Sequence, residues 1–203
     1  DFRDFMTLLE NENELVRVKR EVSAEYEIAA VTAKLDGKEA VLFENVRDSK
    51  NRVMCNVLAT PRRFYLALGG TFHQKSNEFN VKKNIHTRVT GALATLSEPV
   101  RMQDDALFEE NSSRNLYDLP IVTHFEKDAG PFITSSIVFS ENQEKGRQNQ
   151  STHRLLRLDD RHMAIRMVEG RHLHKCFTYS RDHGEDLKVA IAIGVHPAVN
   201  IAA

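Results

Sequence analysis

Short apolar runs with two different periods alternate along the first half of the chain. Runs in which apolar residues recur every three or four positions are separated by brief stretches of consecutive β-branched and aromatic residues. These runs predict helices at Phe2–Leu9, Tyr26–Leu35 and Pro61–Leu68, and strands at Leu15–Val18, Ala40–Phe43 and Val53–Leu58. The order is typical of an α/β unit, in which helices cover a small sheet.

Capping and turn residues stand at the ends of these predicted helices. Ser23 is an expected N-cap for the second helix, and Asp36-Gly37 is expected to end it. Pro61 suits the first turn of the third helix, and Gly69-Gly70 is expected to stop it. The polar segment Thr71–Arg88 is interpreted as a loop.

The second half of the chain is richer in strand signals. A turn cluster at Asp128–Pro131 precedes a predicted strand at Phe132–Phe139, and a hairpin is predicted around Asp159–His162. The other predicted elements are an extended lead-in at Leu116–Pro120, a charged loop at Glu141–Arg147, hairpin strands at Leu155–Leu158 and Ala164–Val168, a helix at His172–Asp182, a strand at Val189–Ile193 and the start of a helix at Pro197–Ala203. The predicted fold class is α/β (α+β), with an α/β unit at 1–110 and an incomplete β-rich unit at 111–203.

The bulk composition is that of an ordinary globular protein. Of the 203 residues, 41% are hydrophobic and 28% are charged, and the formal net charge of -1 gives no electrostatic argument for nucleic acid. No apolar run reaches the roughly 18 residues that a membrane helix needs, and Asp1–Phe5 shows no signal-peptide core. Cys55 and Cys176 stand far apart, which favours reduced packing thiols and a cytoplasmic location.

Three polar groups in the second half have the residue types of a functional site. Gly170–His174 stands at a predicted helix start, where unpaired backbone N–H groups favour an anion and a histidine can ligate a metal. Asn149 is followed five residues later by Arg154, at the head of a predicted strand. The third group is Leu119–Phe125, with Asp128–Pro131 behind it. Taken alone, each also fits a turn former or a surface charge.

Several separated stretches, in one order along the chain, resemble the UbiD-type decarboxylases that use prenylated FMN. The stretches that carry the resemblance are Asp1–Phe5, Glu14–Val18, Tyr26–Ala30, Leu42–Val46, Leu119–His124 with Asp128–Thr134, Gly170–His174 and Val189–Ala198. The resemblance implies that the second unit is part of a flavin-binding split β-barrel. The pattern Ser151–Arg154 together with Glu169–His174 resembles an archaeal branch that acts on anhydromevalonate phosphate.

The resemblance also implies a set of site residues. Asn149 and His172 match the family's ligands for a divalent metal, described as Mn²⁺, with K⁺ as a candidate second ion. Arg154 matches the arginine that orients the substrate carboxylate. The residues that match the flavin-lining positions are Asn149, Thr152, His153, Arg154, Arg171, His172 and Leu173. His153 and His162, considered without the resemblance, are ordinary hairpin residues.

The implied activity is reversible, non-oxidative decarboxylation of an α,β-unsaturated or aromatic carboxylic acid through a prenylated FMN adduct. A flavin prenyltransferase would supply the cofactor, and full-length relatives are expected to be homo-oligomers. Family chains are more than twice this length, so the metal-binding and acid–base Glu residues are expected beyond Ala203, and this piece alone is expected to be inactive. Two alternatives remain: a flavin- or metal-binding or assembly module without catalysis, and a structural or interaction fragment without a ligand.

Overall fold

The computed structural model describes residues 1–71, 78–95, 113–142 and 146–203. The helices are α1 (Phe2–Asn11), α2 (Glu27–Lys34), α3 (Pro61–Ala67), α4 (Glu78–Ala94), α5 (His172–Asp182) and α6 (Pro197–Ala202). The strands are β1 (Leu15–Val18), β2 (Ala40–Phe43), β3 (Val53–Cys55), β4 (Phe132–Asn142), β5 (Arg147–Arg157), β6 (Met163–Ile165) and β7 (Val189–Ala192).

A three-stranded sheet in the order β1-β2-β3 organises the first half of the chain. The central strand β2 runs parallel to β1 and antiparallel to β3, and all four of its residues are buried. Burial of both faces explains why β2 reads as a continuous apolar run. On one face, Val41 and Phe43 pack with Ile28 of α2 and with Val122 from the second half of the chain.

Helices α1, α3 and α6 cover the other face of this sheet. Phe5 and Leu9 of α1 pack with Ala40 and Leu66, and Ile201 of α6 contacts the same cluster. Helix α6 follows the second sheet in the chain but packs against the first one, and it therefore joins the two halves of the molecule.

A four-stranded sheet in the order β6-β5-β4-β7 forms the second half, and its neighbouring strands are all antiparallel. Helix α5 contacts β4 and β5, and buries Leu173 and Cys176. Among the described strands, β7 is an edge strand of this sheet. Its residues Val189 and Ile191, and Ile193 directly after it, are between 37% and 49% exposed. The described strands form two open sheets rather than a closed barrel.

The structure confirms the α/β class and the type of most predicted elements, and the helix at His172–Asp182 has the bounds that the pattern predicts. Cys55 and Cys176 are free thiols, as expected. No helix in the described ranges is both long and apolar enough to cross a membrane. The division at residue 110 stays a prediction.

Four local predictions are wrong. Helix α2 begins at Glu27 with Tyr26 at its N-cap, while the Ser23 hydroxyl accepts from the Glu25 N–H and is not the cap. Strand β3 ends at Cys55 because Asn56 has a φ of +57°. The other two wrong predictions are the extended lead-in at Leu116–Pro120, which contains a 3₁₀ turn, and the loop at Thr71–Arg88, which overlaps α4.

Two predicted loops fall partly on residues outside the described ranges. Within Thr71–Arg88, residues 72–77 lie outside them. Within Glu141–Arg147, β4 extends to Asn142, β5 begins at Arg147, and residues 143–145 lie outside the described ranges.

Candidate functional site

A cavity of about 580 Å³ lies between β5, the end of β6 and the first turn of α5. All seven residues that the sequence predicts for the flavin and metal site line this cavity. The complete lining set is Thr134, Asn149, Gln150, Ser151, Thr152, His153, Arg154, Arg166, Val168, Arg171, His172, Leu173 and Ala203. The fold therefore brings together two segments that are about twenty residues apart in the sequence.

Strand β5 contributes six consecutive lining residues, Asn149–Arg154. The short strand β6 pairs only with Leu155–Arg157, while β4 pairs along most of β5. The first part of β5 therefore has one open edge among the described strands. Because successive side chains of a strand point to opposite faces of the sheet, a cavity at this open edge is lined by side chains from both faces.

The two faces of β5 carry different side chains. Asn149, Ser151 and His153 are half-buried, whereas Gln150, Thr152 and Arg154 are exposed. Arg154 lies well inside the eleven-residue strand, so its predicted place at a strand head is wrong. Asn149 is likewise a strand residue, and not the end of a polar loop.

Hydrogen bonds fix the half-buried face of β5 against β4. The Asn149 amide Nδ2 donates to Ser140 Oγ at 3.4 Å, and Ser136 Oγ donates to the His153 carbonyl at 2.7 Å. The His153 ring is in turn 2.9 Å from Ser151 Oγ through Nε2. The His153 ring is therefore held by a hydrogen bond within its own strand, at the wall of the cavity.

The first turn of α5 forms the opposite wall of the cavity. Gly170 has a φ of +76°, a left-handed conformation that glycine adopts without strain, and it turns the chain into the helix. Arg171 is the N-cap but makes no side-chain capping bond, so the first helical N–H groups have no side-chain acceptor. Leu173 is 3% exposed and anchors the turn, while His172 is exposed and makes no hydrogen bond or ion pair within the described ranges.

The charge of the described cavity lining is positive. Arg154, Arg166 and Arg171 line it, none of the lining side chains is acidic, and these three guanidinium groups make no ion pair with a described residue. The positive end of the α5 dipole adds to this field. A site of this kind binds anions such as phosphate and carboxylate groups.

Asn149 and His172 have the donor chemistry of a divalent metal site. An amide oxygen and a neutral imidazole suit a hard-to-borderline ion such as Mn²⁺. The side-chain oxygen Oδ1 of Asn149 accepts no hydrogen bond from a described residue. Two ligands do not complete a site, and no group of three or more His, Cys, Asp or Glu side chains with suitable spacing occurs in the described ranges. The residues fit a metal whose remaining ligands come from a bound phosphate or from other residues.

The third polar group identified in the sequence lies away from this cavity. Val122 is buried in the first core, and the Thr123 N–H donates to the Ala24 carbonyl at 3.0 Å. His124 and Phe125 line a separate cavity beside α2. This segment joins the two halves of the molecule.

Sequence reasoning missed several lining residues. The main omission is Arg166, which follows β6 directly and places a third cation in the cavity. Thr134 and Val168 were also missed, Gln150 was given no role, and Ser151 was noted only as part of the pattern that resembles the archaeal branch. The alternation of polar residues within two adjacent hairpin strands could have identified these residues, because it indicates one polar face of a sheet.

The fold resembles solved structures of decarboxylases. The UbiD-class enzyme HmfF from Pelotomaculum thermopropionicum, in complex with prFMN, is 29% identical with a TM-score of 0.80, and the match covers 98% of this chain and 45% of that chain. Vanillic acid decarboxylase from Sedimentibacter hydroxybenzoicus is 25% identical with a TM-score of 0.89, and the match covers 100% of this chain and 44% of that chain.

The chain belongs to the UbiD family. Residues 95–203 match the 3-octaprenyl-4-hydroxybenzoate carboxy-lyase Rift-related domain, and residues 6–83 match the N-terminal domain of the same carboxy-lyase. The resemblance seen in the sequence motifs is thereby confirmed at the level of the family.

Curated relatives include two archaeal enzymes named anhydromevalonate phosphate decarboxylase. The protein of Methanosarcina mazei is 32% identical over 199 residues, which are 98% of this chain and 43% of that protein. The protein of Methanothermobacter thermautotrophicus is 29% identical over 189 residues, which are 93% of this chain and 42% of that protein. The chain thus spans less than half the length of these relatives.

Proposed function

We propose that this chain forms the N-terminal part of a prenylated-FMN-dependent decarboxylase that acts, reversibly, on an α,β-unsaturated or aromatic carboxylic acid. The observation that carries the proposal is the single cavity in which Asn149, Arg154, Arg171 and His172 meet without an acidic side chain in the described lining. The similarity to HmfF, solved in complex with prFMN, supports the cofactor.

Arg154 is proposed to hold the carboxylate that leaves as CO₂. Its planar guanidinium can bind both carboxylate oxygens at once, and its side chain is not engaged by any described acidic residue. A fixed carboxylate orientation keeps the breaking C–C bond aligned with the reactive ring system beside it, which lowers the entropic cost of reaching the transition state.

Residues at the other end of the cavity are proposed to hold the cofactor. Asn149 and His172 would bind Mn²⁺, with K⁺ as a second ion, and the metal would supply positive charge for the cofactor phosphate. Arg171 and the uncapped N–H groups of α5 would add positive charge for that phosphate. Thr152, His153 and Leu173 would line the flavin itself. When bound, the prenylated flavin supplies the electron sink for loss of CO₂.

Anhydromevalonate phosphate is the substrate that we propose for the full-length protein. Three of the curated relatives that carry the name anhydromevalonate phosphate decarboxylase are 29%, 32% and 33% identical to this chain. A substrate with a phosphate as well as a carboxylate would also match a cavity lined by three arginines that form no ion pair with a described residue. The remaining catalytic carboxylates would come from residues beyond Ala203.

The proposal extends to the partners and the cellular location of the protein. A flavin prenyltransferase would supply the modified cofactor, the full-length protein would form a homo-oligomer, and neither nucleic acid nor a membrane would be a partner. Cys55 and Cys176 are free thiols, as is usual in the reducing cytoplasm.

The test uses the full-length protein, produced with and without a flavin prenyltransferase. We expect CO₂ release from anhydromevalonate phosphate only from the protein made with the prenyltransferase and supplied with Mn²⁺. Equal activity of protein that holds unmodified FMN would contradict the cofactor proposal. A holoenzyme that binds prenylated FMN but releases no CO₂ from unsaturated or aromatic acids would instead favour a non-catalytic flavin-binding module.

A further inference from the structure

A buried serine stands opposite one of the proposed metal ligands. Ser140 of β4 pairs with Asn149 of β5 in the antiparallel register of the two strands. Opposed side chains of such a pair lie on the same face of the sheet, with Cβ atoms about 5 Å apart. Ser140 is 6% exposed, and on its other side it pairs with Val189 of β7. It does not line the cavity itself, so any effect on the site must pass through Asn149.

The hydroxyl of Ser140 follows the apolar run Ile137–Phe139 on β4. A hydroxyl that is removed from water costs free energy unless it forms a hydrogen bond. Within the described ranges its hydrogen-bond partner is the Asn149 amide, whose Nδ2 donates to Ser140 Oγ at 3.4 Å. The buried serine Ser136 of the same strand differs, because its hydroxyl donates to the backbone carbonyl of His153. Ser140 therefore has its contact with the side chain of a proposed ligand, and Ser136 does not.

The hydrogen bond to Ser140 determines which atom of the Asn149 side chain is free. The NH₂ end of an amide has no lone pair to offer a cation, whereas the carbonyl oxygen is a ligand that suits Mn²⁺. With Nδ2 on Ser140, Oδ1 lies at the other corner of the planar amide and accepts no hydrogen bond from a described residue. A hydroxyl can also donate to an amide oxygen. The serine therefore stabilises the orientation that can bind a metal without forbidding the other one.

We propose that Ser140 is a positioning residue for the metal site, which holds the Asn149 amide with Oδ1 free to bind a divalent cation. The inference rests on the proposed function, of which the metal site is a part, and deepens it. Removal of a group that orients a metal ligand typically weakens metal binding about 10- to 100-fold. The bond between Ser140 and Asn149 is long and joins two neutral groups, so we expect an effect near the lower end, about 10-fold.

The experiment measures the dissociation constant of Mn²⁺ in the full-length protein saturated with FMN, from the electron paramagnetic resonance signal of free Mn²⁺. Ser140→Ala is expected to raise Kd about 10-fold. Ser140→Thr keeps the hydroxyl and suits a strand, so it should bind Mn²⁺ as the unaltered protein does. Ser136→Ala is the matched control, because Ser136 is a buried serine of the same strand that also bonds to β5. It should leave Kd unchanged.

A second background separates orientation of the amide from packing of the sheet. Both oxygens of a carboxylate can bind a cation, so Asn149→Asp gives a ligand that has no unsuitable orientation. We expect Ser140→Ala to raise Kd about 10-fold when Asn149 is present and to change it little in Asn149→Asp. An equal loss of affinity in the two backgrounds would overturn the inference, since Ser140 would then act on the sheet and not on the amide.

Thermal unfolding of each variant shows whether the sheet is intact. If Ser140→Ala does not fold, Ser140→Cys replaces it, because sulfur is a weak acceptor on a side chain of similar shape. Ser140→Cys should also raise Kd for Mn²⁺, and an unchanged Kd in a folded Ser140→Cys protein would count against the inference.

Failure of the inference and failure of the proposed metal site give different results. If the full-length protein with FMN binds no Mn²⁺, or if Asn149→Ala leaves Kd unchanged, the proposed metal site is wrong and the role of Ser140 is wrong with it. If Asn149→Ala weakens Mn²⁺ binding but Ser140→Ala does not, only the role of Ser140 is wrong.

Discussion

The guanidinium of Arg63 and the carboxylate of Glu14 form an ion pair beneath the first sheet, with 2.8 Å between Nη1 and Oε2. The Arg63 side chain is fully buried and the Glu14 side chain is 16% exposed. Arg63 Nη1 also donates to the Lys38 carbonyl at 2.5 Å. Arg63 thus joins α3 to the connection between α1 and β1 and to the connection between α2 and β2.

Removal of one partner of this buried pair is expected to destabilise the fold strongly. Glu14→Gln leaves the buried Arg63 charge without its counter-ion, and we expect it to lower the free energy of unfolding by about 3 to 5 kcal/mol. Urea unfolding measures this change. The control is Glu21→Gln, which breaks an exposed pair with Arg47 and should cost under about 1 kcal/mol. Equal effects of the two variants would contradict the assigned role.

Stability is expected to fall as the pH drops through the titration range of His196. Burial lowers the pKa of His196 below its usual 6.5, and its Nδ1 accepts the Ala198 N–H at 3.2 Å as the N-cap of α6. A lowered pKa in the folded state means that the unfolded chain binds the proton more tightly. The contribution of neutral His196 to the free energy of unfolding is therefore complete above about pH 6.5. It is lost as the pH falls through the lower pKa that His196 has in the folded state.

The pH dependence of the urea midpoint between about pH 5 and 8 checks this expectation, because histidine titrates in that range. His196→Asn keeps a capping acceptor that does not titrate, so its profile should be flatter over this interval. The control is His183→Asn, which replaces the exposed histidine at the C-cap of α5. A wild-type slope in His196→Asn would exclude the cap as its source.

Loss of either proposed metal ligand is expected to remove metal and flavin together. In the full-length protein, His172→Ala and Asn149→Ala should each reduce metal content and flavin retention at least about 10-fold, as is typical when metal-site residues are changed. Elemental analysis and the flavin absorbance spectrum measure the two quantities. His174→Ala is the matched control, because His174 lies on the same helix but does not line the cavity. Unchanged metal content in His172→Ala would exclude that residue as a ligand.

Arg154 is expected to be required for turnover but not for cofactor binding. Arg154→Ala in the full-length holoenzyme should lower kcat/KM at least about 1,000-fold, because positioning contributes several kcal/mol to the barrier, while the flavin spectrum stays unchanged. Arg154→Lys should not restore activity, since an ammonium lacks the planar fork. Arg147→Ala, at the far end of β5 and outside the cavity lining, is the control.

Much of the fold could be predicted from the sequence because its elements have strong local signals. Strand β2 is a continuous apolar run, and α5 follows a glycine and carries a buried stripe. Helix α4 was missed because its described contacts are tertiary and polar: Arg88 donates to the Leu68 carbonyl at 3.0 Å and lies over the Tyr65 ring. Such contacts between helices leave no periodic apolar pattern.

The candidate site could be predicted only in part. Resemblance to a family identified Asn149, Arg154 and His172, while local physics indicated little more than an anion site at the start of α5. Arg166 could not be identified because its place in the cavity, which it lines together with Arg154, depends on how β5 and β6 pair. Register is set by long-range pairing and bulges, and the pairing of β4 with β5 shifts near Ile133.

The exposed apolar strand β7 has a practical consequence for handling this chain. Its exposed residues Val189 and Ile191, with Ile193 directly after the strand, lie on an edge of the described sheet without Lys or Pro among them. Edges of this kind recruit any available β-segment and act as templates for aggregation. Soluble yield of a 203-residue product should therefore depend on what shields β7, and a lysine at Ile191 is expected to improve that yield without altering the cavity wall.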